Sequence, residues 1–184
     1  PSARQCFSDL GKANVRFSPL PNRQFSGGCS QIDSIKLIDV GADVTNLGPV
    51  KCELAGKFAA WTEYAVKRAA REYLGSDLKR IETMGSYSCR NIAGSGKLSQ
   101  HAHANAIDVS AFVLTDGRRI TVESNWKNGR REMQFLSAIH DSACKRFGTV
   151  LSPDYNAAHR DHFHLDMAET DIADSGIRAL ASPK

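Results

Sequence analysis

No apolar run in this 184-residue chain approaches the roughly 20 residues that cross a bilayer, so no integral membrane segment is expected. Long Lys/Arg runs are also missing. So are a helix-turn-helix pattern and interleaved basic and aromatic residues, and nucleic acid is therefore not an expected partner. Charge of either sign is in small surplus only: 24 Lys and Arg stand against 20 Asp and Glu, a net charge of +4. That balance is compatible with an anionic wall polymer as partner, but a plainly solvated surface is the favoured reading. No signal peptide is read in the chain. It begins at Pro1 without Met, so a leader or tail removed by processing stays open as an expectation. No Cys-x-x-Cys pair occurs, which excludes a thiolate zinc ribbon. The five cysteines, Cys6, Cys29, Cys52, Cys89 and Cys144, are scattered. Such a set suits an oxidising compartment with two disulfides and one cysteine left over, the alternative being five buried thiols in a reducing one. Spacing does not fix connectivity. The expectation is Cys89 with Cys144, and one pair among Cys6, Cys29 and Cys52.

What is present reads as one globular domain over residues 1–184, with 41% apolar and 24% charged residues. Up to about Gly48 the chain has short elements broken by turn residues, with a strand at Ile35–Val40. Leu54, Phe58, Trp61, Ala65, Ala69 and Tyr73 recur at steps of three and four, which predicts a helix with one apolar stripe. Gly75 is its natural stop, because glycine tolerates the left-handed cap conformation. Trp61 and Phe58 belong to the core in this reading. Arg80–Met84 is a further strand, and Ala93–Lys97 is a flexible loop. Ala106–Leu114 and Arg119–Val122 form a hairpin through Thr115-Asp116-Gly117. A second helix carries Met133, Leu136, Ile139, Ala143 and Phe147, with His140 partly exposed on it, and Gly148 ends it. His162–Met167 is the last strand, and the polar tail after Thr170 lies at the surface. Strands in neighbouring hairpins favour an α+β fold over a doubly wound sheet.

Five of the six histidines fall into two short clusters. The first is Ser99-Gln100-His101-Ala102-His103-Ala104-Asn105-Ala106-Ile107-Asp108, and the second is His159-Arg160-Asp161-His162-Phe163-His164. Hydrolytic zinc sites use three protein ligands from imidazole and carboxylate and keep one position open. One His and one Asp from the first cluster, with one His from the second, would supply that set.

The string Ser99-x-His101-x-x-x-x-Ala106-x-Asp108, with His162-x-His164 downstream, resembles the LAS group of zinc peptidases. That group includes D-alanyl-D-alanine carboxypeptidases, murein endopeptidases and the zinc-bearing domain of hedgehog proteins. More closely, Tyr87-Ser88-Cys89-Arg90, His101-Ala102-His103-Ala104 and Ala106-Ile107-Asp108 resemble the bacterial extensin-like C-terminal proteins, mostly over the second half of the chain. The resemblance implies a small antiparallel sheet with helices packed against it. It implies Zn2+ held by His101, Asp108 and His164, and peptidoglycan peptides as substrate. It also implies an exported protein, in the periplasm or otherwise at the bacterial cell envelope.

The same resemblance suggests roles for neighbours. Ser99 matches a serine near the substrate, and Arg90 matches an arginine that meets developing negative charge. Tyr87, His103 and His159 are candidate substrate contacts, although the family pattern does not require His103. The catalytic base is His162 or Asp161. Strand alternation puts His162 on the face of His164 and Asp161 on the other, which favours His162. Asp166 is balanced between a partner behind the ligands and a solvated charge. Ala104 stands where the group usually has Gly, a change that would disfavour only a positive φ. The functional expectation is a zinc-dependent peptidase cutting an amide bond in stem peptides or cross-links. The alternatives are an inactive zinc-bearing wall-binding module and a purely structural wall protein. Oligomeric state is left open.

Overall fold

The structure, a computed structural model, describes residues 2–168. The polar tail after Thr170 lies outside them. The chain starts with helix α1 (Ala3–Lys12), capped by the Ser2 hydroxyl, which accepts from the Gln5 N–H. Strands β1 (Arg16–Pro19), β2 (Arg23–Gln24), β3 (Ser30–Gln31), β4 (Ser34–Asp39), β5 (Asp43–Thr45) and β6 (Val50–Lys51) follow. The first long helix then runs as α2 (Cys52–Trp61), a π turn (Thr62–Val66) and α3 (Lys67–Leu74). After β7 (Leu78–Thr83) come β8 (Ala106–Leu114), β9 (Arg119–Thr121), the short α4 (Val122–Asn125), the long α5 (Arg130–Arg146), β10 (Thr149–Leu151) and β11 (Phe163–Asp166).

Nine strands form one sheet in the order β1-β4-β5-β7-β8-β11-β10, with β6 beside β4 and β9 beside β8. The α+β expectation holds, but the sheet is larger than expected and not wholly antiparallel. The pair β5–β7 is parallel, and the long helix makes its crossover. The strands missing from the sequence reading are mostly two or three residues long, too short to show an alternation. β2 and β3 form a separate two-stranded ribbon.

Gly75 ends the first long helix at φ 64°, as its position predicts. The π turn changes the stripe. Leu54, Phe58 and Trp61 are fully buried, but from the end of the turn onward the buried residues are Val66, Ala69, Ala70 and Leu74. One extra residue in the turn rotates the downstream face, so Ala65 and Tyr73 are only partly covered. α5 packs against this helix, and the Trp61 indole N–H donates to the Ile139 carbonyl at 2.9 Å. Trp61 also meets Phe58, Phe112 and Phe147 at ring distances of 5.8, 6.2 and 6.1 Å. Two expectations on α5 fail: Met133 is exposed, and His140 is buried among the Trp126 and Phe163 rings.

The Asp116-Gly117 hairpin forms as predicted, with β8 and β9 paired antiparallel and Gly117 at φ 94°. β8 holds the detail that matters most. Glu82 pairs with Ala111 while Thr83 pairs with Val109, so β8 carries an extra residue at Ser110. This bulge changes the parity of the strand. Ile107 and Val109 before it, and Phe112 and Leu114 after it, all join the core. On β11, Phe163 and Leu165 do the same. Alternation then turns Asp108, His164 and Asp166 to the opposite face of the sheet.

The disulfides are Cys6–Cys52 and Cys29–Cys89. The expected pair within the first three cysteines is therefore Cys6–Cys52, which ties α1 to the start of α2. The expected Cys89–Cys144 bridge is incorrect. Cys144 is half-buried on α5, and Cys89 bonds instead to Cys29 on the loop between β2 and β3.

Candidate metal centre

Asp108 and His164 are direct register partners across β8 and β11, so their side chains rise side by side from one face. The third member arrives from a short 3-10 turn, Gln100–His103, just before β8. Ser99 caps that turn, its hydroxyl accepting from the His101 N–H at 3.2 Å. Ala104 closes it in the left-handed region, at φ 54°. This is the positive φ that the Gly-to-Ala difference disfavours: a β-carbon in this conformation costs about 1–2 kcal/mol. Its amide donates back into the turn, and its carbonyl accepts from the Lys51 N–H at 2.9 Å, so both polar groups are used.

His101, Asp108 and His164 are buried and offer ligand atoms that all lie within 4.8 Å of one another. His101 Nε2 is 3.1 Å from Asp108 Oδ2, and His164 Nδ1 is 3.2 Å from Asp108 Oδ1. Each imidazole is held from behind by its other nitrogen. His101 Nδ1 donates to the Ser86 carbonyl at 2.8 Å, and His164 Nε2 donates to Asp166 Oδ2 at 2.7 Å. His101 Nε2 is fully buried and has no aligned hydrogen-bond partner among the described residues. A buried acceptor left in that state is costly unless something binds it. An orphaned imidazole nitrogen, a second imidazole nitrogen and a carboxylate, converging from three sides, fit a zinc-type cation.

Charge sharpens the cluster. Burial alone would raise the Asp108 carboxyl, but its contacts with His101 and His164 outweigh that and hold it well below the ordinary carboxylate value. Burial opposes a charge on His164, yet Asp108 and Asp166 raise the ring to about 9. The two carboxylates thus favour a positive charge between them, whether a proton on His164 or a bound cation.

The two base candidates turn out to be partners. His162 precedes β11 and is buried, with Nδ1 on Asp161 Oδ1 at 2.7 Å and Nε2 3.7 Å from Asp108 Oδ1. His159, in a short 3-10 turn at Ala157–His159, continues the same wall. Its ring lies 5.0 Å from His162 and 6.2 Å from His164, and its Nδ1 is fixed by Asn156 Oδ1 at 2.6 Å. Burial, then the neighbouring His162 and His164, push this ring down to about 4.

Other predicted residues stand further back. Ser99 is buried as a cap. His103 is half-buried, with Nδ1 against the Ser30 hydroxyl at 2.9 Å. Tyr87 packs on Phe25 at a ring distance of 5.9 Å. Arg90 is exposed, and among the described residues its side chain makes no hydrogen bond or ion pair; its carbonyl accepts from the Ser99 N–H at 3.0 Å. The segment Met84–Arg90 forms a cradle behind the site. Met84 N–H donates to the Asp108 carbonyl, the Gly85 carbonyl accepts from the Asp108 N–H, and Ser88 N–H donates to the His101 carbonyl, at 2.8, 3.1 and 3.1 Å. Cys89 anchors this cradle to Cys29. The sequence reading missed Ser86, Ser30, Phe25 and Asn156. Ser86 acts through its backbone and leaves no residue-type signal, whereas Asp166, two residues past His164 on a strand, was visible as a same-face carboxylate.

With this geometry in hand, the chain matches the family described as extensin-like protein C-terminus over residues 4–176. It belongs to that family. Comparison with curated proteins and with solved structures yields no significant match. Family and disulfides together fit an extracellular or envelope protein, and among the described residues no helix is long and apolar enough to cross a membrane.

Proposed function

We propose that this protein is a zinc-dependent peptidase of the bacterial envelope, hydrolysing an amide bond in peptidoglycan stem peptides or cross-links. The reading includes a fold of the LAS zinc peptidase type and a periplasmic or wall-associated setting. One observation carries it: a buried His-Asp-His set, with no partner aligned to His101 Nε2, lies beside a third, independently anchored imidazole, His162. A purely structural metal site has no use for that extra group.

His101 Nε2, Asp108 and His164 Nδ1 would hold the ion. Zinc in such a site supplies Lewis-acid activation of water and of the scissile carbonyl. Asp161 fixes His162 with Nδ1–H toward the carboxylate, which leaves Nε2 as the free acceptor facing the cluster. His162 takes the proton of the attacking water and returns it to the leaving nitrogen as the C–N bond breaks. Asp161 orients the ring through Nδ1. His159 lines the wall beside it. Arg90 meets the developing negative charge only by reaching in from its exposed position once substrate is bound.

The test is a digest of purified muropeptides, cross-linked and monomeric, read by mass spectrometry with zinc or with chelator. Zinc-dependent cleavage is expected, and the mass change names the bond. The variant His162→Ala should keep its metal and lose about 10²–10⁴-fold in rate. Bound metal with no cleavage of any muropeptide would overturn the peptidase and favour a zinc-bearing wall-binding module.

A further inference from the structure

The two imidazoles of the centre are held in different ways. His101 is backed by a neutral backbone carbonyl, whereas His164 is backed by the buried carboxylate of Asp166, two residues along β11. Asp166 is itself clamped: Oδ2 takes the His164 N–H, and Oδ1 accepts from the Ala168 N–H at 2.9 Å. Its own backbone carbonyl accepts from the Gly148 N–H at 2.9 Å, so neither the residue nor its side chain is free to turn.

That clamp decides which ring atom faces the other ligands. A half turn of the His164 ring about its Cβ–Cγ bond would put Cδ2 where Nδ1 now stands, and carbon cannot ligate. It would also strip Asp166 of its donor. A buried carboxylate left without that donor is strongly disfavoured, so the flipped ring is suppressed. We propose that Asp166 is a positioning residue of the centre: it locks His164 in the ring orientation that presents Nδ1, and raises the donor strength of that nitrogen. The inference rests on the metal-binding reading above. It assigns Asp166 no contact with substrate.

The probe is 113Cd2+ in place of zinc, with 15N-labelled protein and long-range 1H–15N spectra of the histidine rings. In the parent protein, His164 should couple to cadmium through Nδ1 and carry its proton on Nε2, while His101 couples through Nε2. Asp166→Asn keeps an acceptor but removes the charge, and should weaken metal binding about 10-fold in a chelator competition. Asp166→Ala removes both and should weaken it towards 100-fold, the range usual for such outer partners. It should also give a second His164 species, with the ring flipped and uncoupled from the metal. Circular dichroism and thermal melting of the metal-free variants provide the control. A lower melting temperature with unchanged affinity and one unchanged His164 species would mean that Asp166 is merely structural, and would overturn the inference while sparing the metal centre. Failure of the parent protein to bind cadmium or zinc at all would overturn the centre and this inference together.

Discussion

Two faces of one pair of strands do opposite work. On one, Ile107, Val109, Phe163 and Leu165 are fully buried among the helices. On the other, Asp108, His164 and Asp166 are nearly as well buried, but among polar partners. The apolar face gains from being dry and close-packed. The polar face spends stability: its groups are desolvated, and His101, brought against it by the 3-10 turn before β8, has no partner aligned with its Nε2. The difference teaches that burial alone does not mark a core. What the buried groups can satisfy among themselves, and what they leave open, separates a scaffold from a site.

The largest expected effects test that split directly. His164→Ala should abolish metal retention, measured by elemental analysis after gel filtration, with little loss of fold by circular dichroism. Phe112→Ala, on the apolar face beyond the bulge, should do the reverse. It should cost about 3–5 kcal/mol in urea unfolding and leave metal stoichiometry unchanged. A Phe112→Ala protein that folds well but loses metal would break the comparison.

The disulfides offer a second contrast. Cys6–Cys52 and Cys29–Cys89 close loops over 46 and 60 residues, which predicts similar losses of roughly 4 kcal/mol when either is removed. Only the second joins the cradle that holds His101 and Asp108. Paired Cys29→Ser and Cys89→Ser changes should weaken metal affinity as well as stability. The Cys6→Ser and Cys52→Ser pair should weaken stability alone. Equal affinities in the two proteins would detach the cradle from the site.

A smaller effect concerns His140, which borders both regions through Phe163. Burial pushes this ring down to about 4, against an ordinary value of 6.5, with Asp154 pulling weakly upward. Asp141 is also near, 3.8 Å from Nδ1. As pH falls, the unfolded chain takes the proton first. Its contribution is therefore complete above pH 6.5 and is lost progressively on the way to about 4. At about 1.4 kcal/mol per pH unit, the loss is capped near roughly 3 kcal/mol. His140→Phe should flatten that limb in urea unfolding from pH 7 to 4, and an unchanged slope would reject the assignment.

Much of this was legible in the sequence, for reasons that differ by residue. Gly75 and Asp116-Gly117 announced a helix stop and a hairpin because their backbone geometry demands those residue types. His101, Asp108 and His164 stood out because polar ligand types recurred at motif spacing. The π turn at Thr62–Val66 was not legible, since a helical stripe assumes an even 3.6-residue repeat. Nor was the bulge at Ser110, because the strand Ala106–Leu114 carries apolar residues on both faces and shows no strict alternation to break. The Cys29–Cys89 bridge depends on a ribbon docking far away in sequence, and the burial of His140 depends on Trp126 and Phe163 closing over it. At Ala104 the sequence marked positive φ as the one conformation the residue would resist, but nothing in it showed that the turn demands that conformation.

That ribbon also defines what could be transplanted. Every proposed metal ligand lies between His101 and His164, so the motif looks portable as a cassette. Its bracing does not travel with it. Ser86 and Cys89 stand ahead of the motif, and Cys29 and Ser30 stand some 70 residues ahead of it, with Ser30 reaching His103 across a separation of 73. A graft of the ligand-bearing segment into another host would carry the letters of the centre without the struts that aim them.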